Sequence, residues 1–190
     1  MIPRVIALAT TSIAWKRHEE FLSEVDPGEV SPVLRLLLTC DGSMTTALEA
    51  LRGGRVGVEL VRQGEEPLDA DTARRLAVSA RQTAVSRHAW LTHAGERLLY
   101  AVSILPLASL SPEIATEVRR GIEPLGRLFD TANRAVLRDG LRIGRLYDPE
   151  LAAAFGVDPS EPLWCRTYRL VVERTLTASI VEVFSPRLAD

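Results

Sequence analysis

The fold is decided by residues 83–105, which read TAVSRHAWLTHAGERLLYAVSIL. Apolar and polar residues alternate with a period of two in 83–92 and again in 97–105, on either side of a short turn at His93-Ala94-Gly95-Glu96. This pattern predicts a β-hairpin. A second hairpin is predicted from strands at 163–173 and 177–184. Because hairpins join antiparallel neighbours, these strands belong to a mainly antiparallel sheet.

The rest of the chain adds further strands and several short helices. Alternation predicts a strand at 56–62 and an extended segment at 133–147, with a bulge at Asp139-Gly140. Start and stop signals predict helices at 32–39, 44–51, 72–79, 112–120 and 151–155, with Ser43 as an N-cap and Pro112 at a first helical position. We therefore predict one α+β domain over 1–190, with a helical extension at 1–35, about six strands and helices packed on one face of the sheet.

The composition excludes several classes of partner. Lys and Arg total 23 against 25 Asp and Glu, so the net charge of −2 gives no long-range attraction to nucleic acid or to an acidic membrane surface. No run approaches the roughly 20 apolar residues that a membrane span needs.

The two cysteines and three histidines lie outside metal-ligand spacings, which predicts free thiols and no metal site. Residues 1–9 form only a weak signal-peptide pattern, so we expect a cytoplasmic protein.

Two charged residues interrupt apolar stripes on the predicted strands. Arg87 shares a strand face with Ala89 and Leu91, and Glu182 lies between Ile180 and Phe184 on another strand. A buried charge without a partner is strongly destabilising, so three explanations stay open. The two side chains pair with each other, one of the stripes faces water, or a ligand pairs with them.

The ligand explanation points to a particular chemistry. Arginine offers a planar, bidentate fork to a carboxylate. Burial among apolar side chains raises the pKa of a carboxyl group in general, so that such a group can carry a proton near neutral pH. This combination suits elimination from a dicarboxylate better than metal-dependent hydrolysis or phosphoryl transfer. His88 falls on the other face of the same strand, where we expect it to be exposed to solvent.

These residues are part of a longer resemblance that covers roughly 36–186. The segments that carry it are, in order, Leu37-Leu38, Asp41-Gly42-Ser43-Met44-Thr45, Val61-Arg62-Gln63-Gly64, Arg87, Gly95, Ser103-Ile104-Leu105-Pro106, Pro124-Leu125-Gly126-Arg127 with Phe129, Trp164-Cys165-Arg166, Arg169-Leu170 and Val181-Glu182-Val183-Phe184-Ser185-Pro186. In this order and spacing they resemble the chorismate pyruvate-lyase family, which converts chorismate to 4-hydroxybenzoate and pyruvate.

The resemblance implies flaps over a buried ligand pocket and a set of site residues. It implies that Arg87 and the main chain of Met44 hold the ring carboxylate. It also implies that Glu182 and the amide of Leu125, beside Gly126, meet the oxygen at the opposite end of the ring. Glu182 would protonate or hydrogen-bond the ether oxygen as the enolpyruvyl group leaves. The resemblance implies no metal and no cofactor. The expected partner is a small aromatic or cyclohexadiene carboxylate, bound by a monomer or a homodimer.

One position departs from the family pattern and leaves a question open. Some lyases carry an arginine in the third predicted strand, where this chain has Val102. A second clamp for the enolpyruvyl carboxylate is therefore missing, or it comes from Arg62, Arg166 or Arg169. A run of arginines at 134, 138, 142 and 145 forms either a basic rim around the pocket or a solvated strand face.

A second resemblance keeps two alternative functions open. Residues 148–157 resemble the effector-binding UTRA domain of GntR-type repressors, which shares the lyase fold. The alternatives are an enzyme of the same fold acting on another carboxylated ring in secondary metabolism, and a UTRA-like domain that binds without catalysis. Such sensors normally follow a winged-helix DNA-binding domain, and the residues ahead of Leu36 are too few to form one. We therefore expect a lyase.

Overall fold

One antiparallel sheet organises the computed structural model, which describes residues 13–130, 135–173 and 176–189. Its strands in these residues are β1 (Lys16–Arg17), β2 (Gly57–Pro67), β3 (Thr83–His93), β4 (Glu96–Pro106), β5 (Val136–Leu146), β6 (Leu163–Val172) and β7 (Leu176–Phe184). Their order across the sheet is β1-β5-β6-β7-β4-β3-β2, and every neighbouring pair is antiparallel. The strand β7, which carries Glu182, therefore lies at the centre.

Helices connect and cover these strands. They are α1 (His18–Glu24), α2 (Pro32–Thr39), α3 (Met44–Arg52), α4 (Ala70–Leu76), α5 (Pro112–Arg120), α6 (Leu125–Asp130) and α7 (Pro149–Phe155), with short 3₁₀ helices at Pro27–Glu29, Leu107–Ser109 and Pro186–Ala189. In the described segments, no helix combines the length and the apolar character needed to cross a bilayer.

The capping residues explain why the predicted helices begin and end where they do. The side chain of Ser31 accepts a hydrogen bond from the amide of Leu34 and starts α2, and Ser43 does the same for Thr46 at the start of α3. Helix α3 ends at Gly53, whose φ of 68° is readily adopted only by glycine. The predictions for α2 and α3 are confirmed to within one residue, whereas the predicted helices at 72–79 and 151–155 differ by two or three residues from α4 and α7.

The first hairpin is confirmed as well. Its turn places Ala94 and Gly95 at φ values of 48° and 83°, as a two-residue turn with the right-handed twist of its strands requires. The bulge predicted in β5 is present, since the register with β6 shifts between Asp139 and Arg142, and Gly140 has a φ of 66°. The turn predicted at 174–176 begins at residues that the structure does not describe. The signal-like segment 1–9 and Arg134 also lie outside the described residues.

Strand β2 is longer than the sequence predicted. The sequence predicts a strand at 56–62, but Glu65, Glu66 and Pro67 continue β2 and pair with residues 83–85 of β3. Strand β2 lies at the edge of the sheet, so its polar side chains remain in contact with water. Proline, which donates no backbone hydrogen bond, is tolerated at such an edge.

The α+β class and the antiparallel sheet are confirmed, but two details differ from the prediction. The sheet has seven strands, because the short β1 pairs with β5 at Ile143 and Arg142. Helices also pack on both faces of the sheet. Helices α2, α3, α5 and α6 cover the face that bears Arg87, which we call the cavity face. Helices α4 and α7 cover the opposite face.

The helices on the opposite face overturn one prediction. His88 was expected to be exposed, but it is buried, and its Nδ1 lies 3.0 Å from the hydroxyl of Tyr100. Helix α7 packs Phe155 against Trp90, and the ring of Trp90 packs against Tyr100 in turn. Alternation along a strand predicts which side chains share a face, but it does not show whether a helix covers that face.

Candidate functional site

A cavity of about 70 Å³ lies between the cavity face and the helices α3 and α6. A cavity needs roughly 10–15 Å³ to hold one water molecule, so this cavity has room for several waters. Its wall is mainly apolar and includes charged side chains at three positions. The lining residues are Met44, Thr45, Arg87, Ala89, Leu91, Ala101, Ser103, Pro124, Leu125, Gly126, Phe129, Val136, Arg138, Tyr168, Leu170, Ile180 and Glu182.

Arg87 is buried in the cavity wall, with 3% of its surface exposed. Its Nη2 donates to the carbonyl oxygens of Gly121 and Glu123, at 3.0 and 2.9 Å, in the segment that joins α5 to α6. Its Nε is buried and has no hydrogen-bond partner among the described residues. Burial lowers the pKa of the guanidinium from its ordinary value. Arg87 is thus a buried cation whose hydrogen-bonding capacity is only partly used by the protein.

Glu182 is also buried in the cavity wall, but its partner is not Arg87. The carboxylate Oε2 accepts a hydrogen bond from Nε of Arg166 at 2.5 Å, and Oε1 accepts one from the hydroxyl of Tyr168 at 3.2 Å. Arg166 stands directly opposite Glu182 in the register of β6 and β7. Of the explanations left open by the sequence, a direct Arg87–Glu182 pair and a water-facing stripe are both excluded by these positions.

Arg166 connects the carboxylate of Glu182 to the end of helix α2. Its side chain is fully buried, and its Nη1 donates to the carbonyl oxygens of Leu37 at 2.9 Å and Cys40 at 2.7 Å. The last carbonyl oxygens of a helix lack the regular hydrogen bond from an amide four residues later. A cation is therefore favourable at this position. Burial by itself lowers the pKa of Arg166, but attraction to Glu182 and Tyr168 raises the pKa overall. Arg166 and Glu182 thus form a buried ion pair.

Tyr168 completes this side of the cavity. Burial raises the pKa of its phenol, and the nearby Glu182 carboxylate raises that pKa further. The hydroxyl therefore keeps its proton and donates a hydrogen bond to Oε1 of Glu182. The guanidinium of Arg138 lies over the same ring, 5.7 Å from the ring centroid.

The helices α3 and α6 bring the predicted main-chain donors to the cavity. Met44 and Leu125 are the first residues of these helices, where amide groups have no acceptor within the helix. Both residues line the cavity, as does Gly126. A Cβ atom on Gly126 would lie 2.9 Å from Oγ1 of Thr45, so the absence of a side chain lets the two helix ends approach each other.

A group of charged side chains fastens α3 to α6. Arg127 on α6 donates to the carboxylate of Glu49 on α3 at 2.5 Å and to that of Glu123 at 2.7 Å. The amide of Val56 also donates to Glu49, at 3.0 Å. The Val56 amide and the Arg127 guanidinium hold the pKa of Glu49 below its ordinary value. Ionised Glu49 and Arg127 thus keep the two helices together over the cavity.

The predicted site residues Met44, Arg87, Leu125, Gly126 and Glu182 are all brought together around this one cavity. The sequence analysis missed the roles of Arg166 and Tyr168. Both share a strand face with Leu170, so alternation along 163–173 carried the same signal that identified Arg87.

None of the alternative second clamps lines the cavity. Val102 packs in the cluster on the opposite face, Arg62 lies opposite His88 in the strand register, and Arg169 pairs with Asp139. Arg166 is held by Glu182. Among the described residues, no three His, Cys, Asp or Glu side chains group together in a way that could hold a metal ion.

Comparison with solved structures shows which proteins share this fold. The chain is similar to PhnF from Mycobacterium smegmatis, with a TM-score of 0.64 and 21% identity over 77% of this chain, and it spans 64% of PhnF. The effector domain of PhnF alone gives a TM-score of 0.63 and 20% identity, with 77% of this chain and 90% of that domain covered. The ligand-binding domain of a GntR-family regulator from Bordetella bronchiseptica gives a TM-score of 0.54 and 20% identity, covering 69% and 84%. These likenesses are of fold.

Sequence comparison identifies the family. The chain is 34% identical over 172 residues to a "Probable chorismate pyruvate-lyase" of Halorhodospira halophila, covering 85% of this chain and 86% of that protein. A family model described as chorismate pyruvate-lyase Rv2949c-like matches residues 38–190, which include every residue named above as lining the cavity. By both comparisons, the chain belongs to the Rv2949c-like chorismate pyruvate-lyase family.

Proposed function

We propose that this protein is a lyase that converts chorismate to 4-hydroxybenzoate and pyruvate by elimination, without a cofactor. The observation that carries the proposal is the cavity, in which the cation Arg87 and the carboxylate Glu182 are buried without pairing with each other. Two buried charges held apart across a mainly apolar space fit a flat ligand with a carboxylate at one end and a polar oxygen at the other.

In the proposed orientation, the two ends of the substrate ring meet different groups of the protein. Chorismate carries a ring carboxylate, an enolpyruvyl ether on ring carbon 3 and a hydroxyl on ring carbon 4. The ring carboxylate is placed against Arg87 and the main chain of Met44. The ring hydroxyl, which lies across the ring, is placed against Glu182 and the amide of Leu125.

The reaction needs bond changes that these groups assist by position. The bond between ring carbon 3 and the ether oxygen breaks, and its electron pair leaves with enolpyruvate. Ring carbon 4 loses its hydrogen as a proton, and the electrons of that bond complete the aromatic ring. Enolpyruvate takes up a proton on its methylene carbon and becomes pyruvate. Because the ring gains aromaticity, the driving force lies in the substrate, and orientation is the main contribution of the protein.

The hydrogen bonds of Glu182 bear on its role. Arg166 and Tyr168 both donate to its carboxylate oxygens, so Glu182 is an acceptor in both contacts. We therefore propose that Glu182 accepts a hydrogen bond from the ring hydroxyl. Donation of a proton to the ether oxygen by Glu182 stays a prediction from the sequence. The Arg166–Glu182 pair favours the acceptor role.

The test is incubation with chorismate, followed by ultraviolet absorbance and by chromatography of the products. We expect 4-hydroxybenzoate and pyruvate in equal amounts. Replacing the buried cation, Arg87→Met, should weaken binding of 4-hydroxybenzoate by roughly tenfold or more, because a charge-assisted hydrogen bond is lost. The matched control is Arg62→Met, which removes an arginine from the neighbouring strand and should bind 4-hydroxybenzoate as the unaltered protein does.

Other outcomes would favour the alternatives. Thermal stabilisation by chorismate without turnover would support a binding domain in place of an enzyme. Absence of both turnover and 4-hydroxybenzoate binding would contradict the proposed substrate and support a different carboxylated ring. Unchanged affinity in Arg87→Met would contradict the role of Arg87.

A further inference from the structure

A second arginine lines the cavity, at a position that the sequence placed either in a basic rim or on a solvated strand face. Arg138 lies on β5 and lines the cavity. The bulge in β5 begins two residues further along the strand. The sheet order places β5 two strands from Glu182 on β7, and it places Arg87 on β3 two strands away on the other side. At about 4.8 Å per strand, the backbones that carry the two arginines are roughly 19 Å apart, with Glu182 between them.

The hydrogen bonds of Arg138 leave part of its guanidinium unused. Its Nη1 donates to the carbonyl oxygen of Asp41 at 2.7 Å, and its guanidinium lies over the ring of Tyr168. Its Nε is buried and has no hydrogen-bond partner in the part of the chain that the structure describes. Arg138 and Arg87 share this property, and they are the lining arginines on either side of Glu182.

The charges around the cavity do not balance. Glu182 is the acidic residue of the lining, and its charge is already matched by Arg166 behind it. Among the residues whose side chains the structure describes, no carboxylate forms an ion pair with Arg87 or Arg138. Within this set of residues, the two cations at the cavity lack a carboxylate partner, and an anionic ligand would stabilise them.

We propose that Arg138 binds the second carboxylate of a dicarboxylate substrate, on the side of the ring opposite to Arg87. This inference rests on the proposed function for the identity of the substrate, since the enolpyruvyl group of chorismate supplies that carboxylate. It makes Arg138 the residue that distinguishes substrate from product. Chorismate has two carboxylates, whereas 4-hydroxybenzoate keeps only the one assigned to Arg87.

The assignment also accounts for the departure at position 102. Val102 pairs with Val181 and packs on the opposite face of the sheet, so an arginine at this position would not extend from the cavity face. In this chain the second cation enters from β5, at the other end of the cavity from β3.

The test compares one-carboxylate and two-carboxylate ligands in a matched pair of variants. Arg138→Gln removes the cation from the cavity, and Arg142→Gln removes an exposed arginine from the same strand on the opposite face. The probes are chorismate, 4-hydroxybenzoate and 3-(carboxymethoxy)benzoate, an aromatic ether with two carboxylates that cannot undergo the elimination. Affinities are measured by calorimetry, and kcat and KM are measured for chorismate.

We expect Arg138→Gln to raise the KM for chorismate and to weaken binding of 3-(carboxymethoxy)benzoate by about tenfold or more, as loss of a charge-assisted hydrogen bond does. Its affinity for 4-hydroxybenzoate should stay within about twofold of the unaltered protein, a difference too small for a lost charged contact. Arg142→Gln should match the unaltered protein in all three. Arg138→Lys keeps the positive charge but loses the bidentate guanidinium, so it should restore part of the affinity. This recovery would show that the loss of affinity in Arg138→Gln does not come from misfolding.

The outcomes separate this inference from the proposed function. Turnover of chorismate with an unchanged KM in Arg138→Gln would overturn the role of Arg138 and leave the lyase in place. A preference for the two-carboxylate probe that depends on Arg138, in a protein that does not convert chorismate, would support the role of Arg138 and contradict the lyase. Equal weakening of one-carboxylate and two-carboxylate ligands would also overturn the inference.

Discussion

The two faces of the sheet each bury a tyrosine hydroxyl beside a titratable group, but their surroundings differ. On the opposite face, Tyr100 lies 3.0 Å from the ring nitrogen of His88, and the rings of Trp90 and Phe155 fill the space next to it. On the cavity face, Tyr168 donates to Glu182, and a hollow remains beside the pair. Similar polar contacts thus lie within packed side chains on one face and adjoin a cavity on the other.

This comparison shows that burial of a polar group does not by itself identify a site. His88 is as deeply buried as Arg87, yet its ring is enclosed by neighbours. Arg87 and Arg138 are distinguished by buried donor atoms that have no acceptor among the described residues, next to an unfilled volume. The proposed ligand contacts rest on this combination of a buried donor without an acceptor and an adjacent cavity.

The largest effect on the cavity face is expected from breaking the buried ion pair. Glu182→Gln leaves Arg166 buried with an uncompensated charge, so we expect the free energy of unfolding to fall by about 3–5 kcal/mol. Turnover should be lost as well. Chemical denaturation measures the first effect and the chorismate assay the second.

A double variant provides the control for that substitution. Replacing both members of the pair, Glu182→Leu with Arg166→Met, removes both charges and should recover most of the lost stability without recovering turnover. A Glu182→Gln protein that is as stable as the unaltered chain would show that the pair does not hold the sheet to α2 in the way that the contacts indicate.

A smaller and more direct comparison uses one hydroxyl from each face. Tyr168→Phe and Tyr100→Phe each remove one buried hydrogen bond, and each should lower the free energy of unfolding by about 1–2 kcal/mol. Only Tyr168→Phe should change turnover of chorismate or affinity for 4-hydroxybenzoate, because only that hydroxyl lies beside the cavity. Equal effects of both variants on ligand affinity would contradict the division of roles between the two faces.

The smallest expected effect is a pH dependence that comes from the opposite face. Burial lowers the pKa of His88, and the nearby Arg62 lowers it further. The unfolded chain, with a histidine pKa of about 6.5, therefore takes up the proton first as the pH falls. The contribution of His88 to stability is complete above about pH 6.5 and decreases as the pH falls from there towards the folded-state pKa.

Measuring denaturation at about pH 7.5 and about pH 5.5 in the unaltered protein and in His88→Gln isolates this contribution. The variant should lose less stability than the unaltered protein between these two conditions. A larger loss in the variant would mean that His88 is protonated in the folded protein.

Much of this site could be predicted from strand alternation, and the missing parts have physical causes. The charged interruptions at Arg87 and Glu182 were visible in the sequence, but their pairing was not. Arg166 meets Glu182 because of the register between β6 and β7, which alternation within one strand does not specify. The same limit applied to His88, which lies on a sheet face where helix α7, from a distant part of the chain, packs against Trp90.

Arg138 shows a different limit. Regular alternation along 133–147 would place Arg138 and Arg142 on the same face of the strand. The bulge inserts an extra residue, so that Arg138 pairs with Leu170 on the cavity face and Arg142 pairs with Thr167 on the opposite face. The sequence predicted the bulge at Asp139-Gly140, but the consequence for side-chain direction depended on the register with β6.

The bonds from Arg166 to the end of α2 have a consequence for the design of shortened versions of this protein. The match to the family begins at residue 38, within α2 (Pro32–Thr39), whereas Arg166 relies on main-chain oxygens of Leu37 and Cys40. A fragment trimmed to begin after Cys40 would remove both carbonyl acceptors of Arg166, together with the core side chains Leu34 and Leu38. Expression trials should therefore keep the chain from Ser31 onward, where the cap of this helix begins.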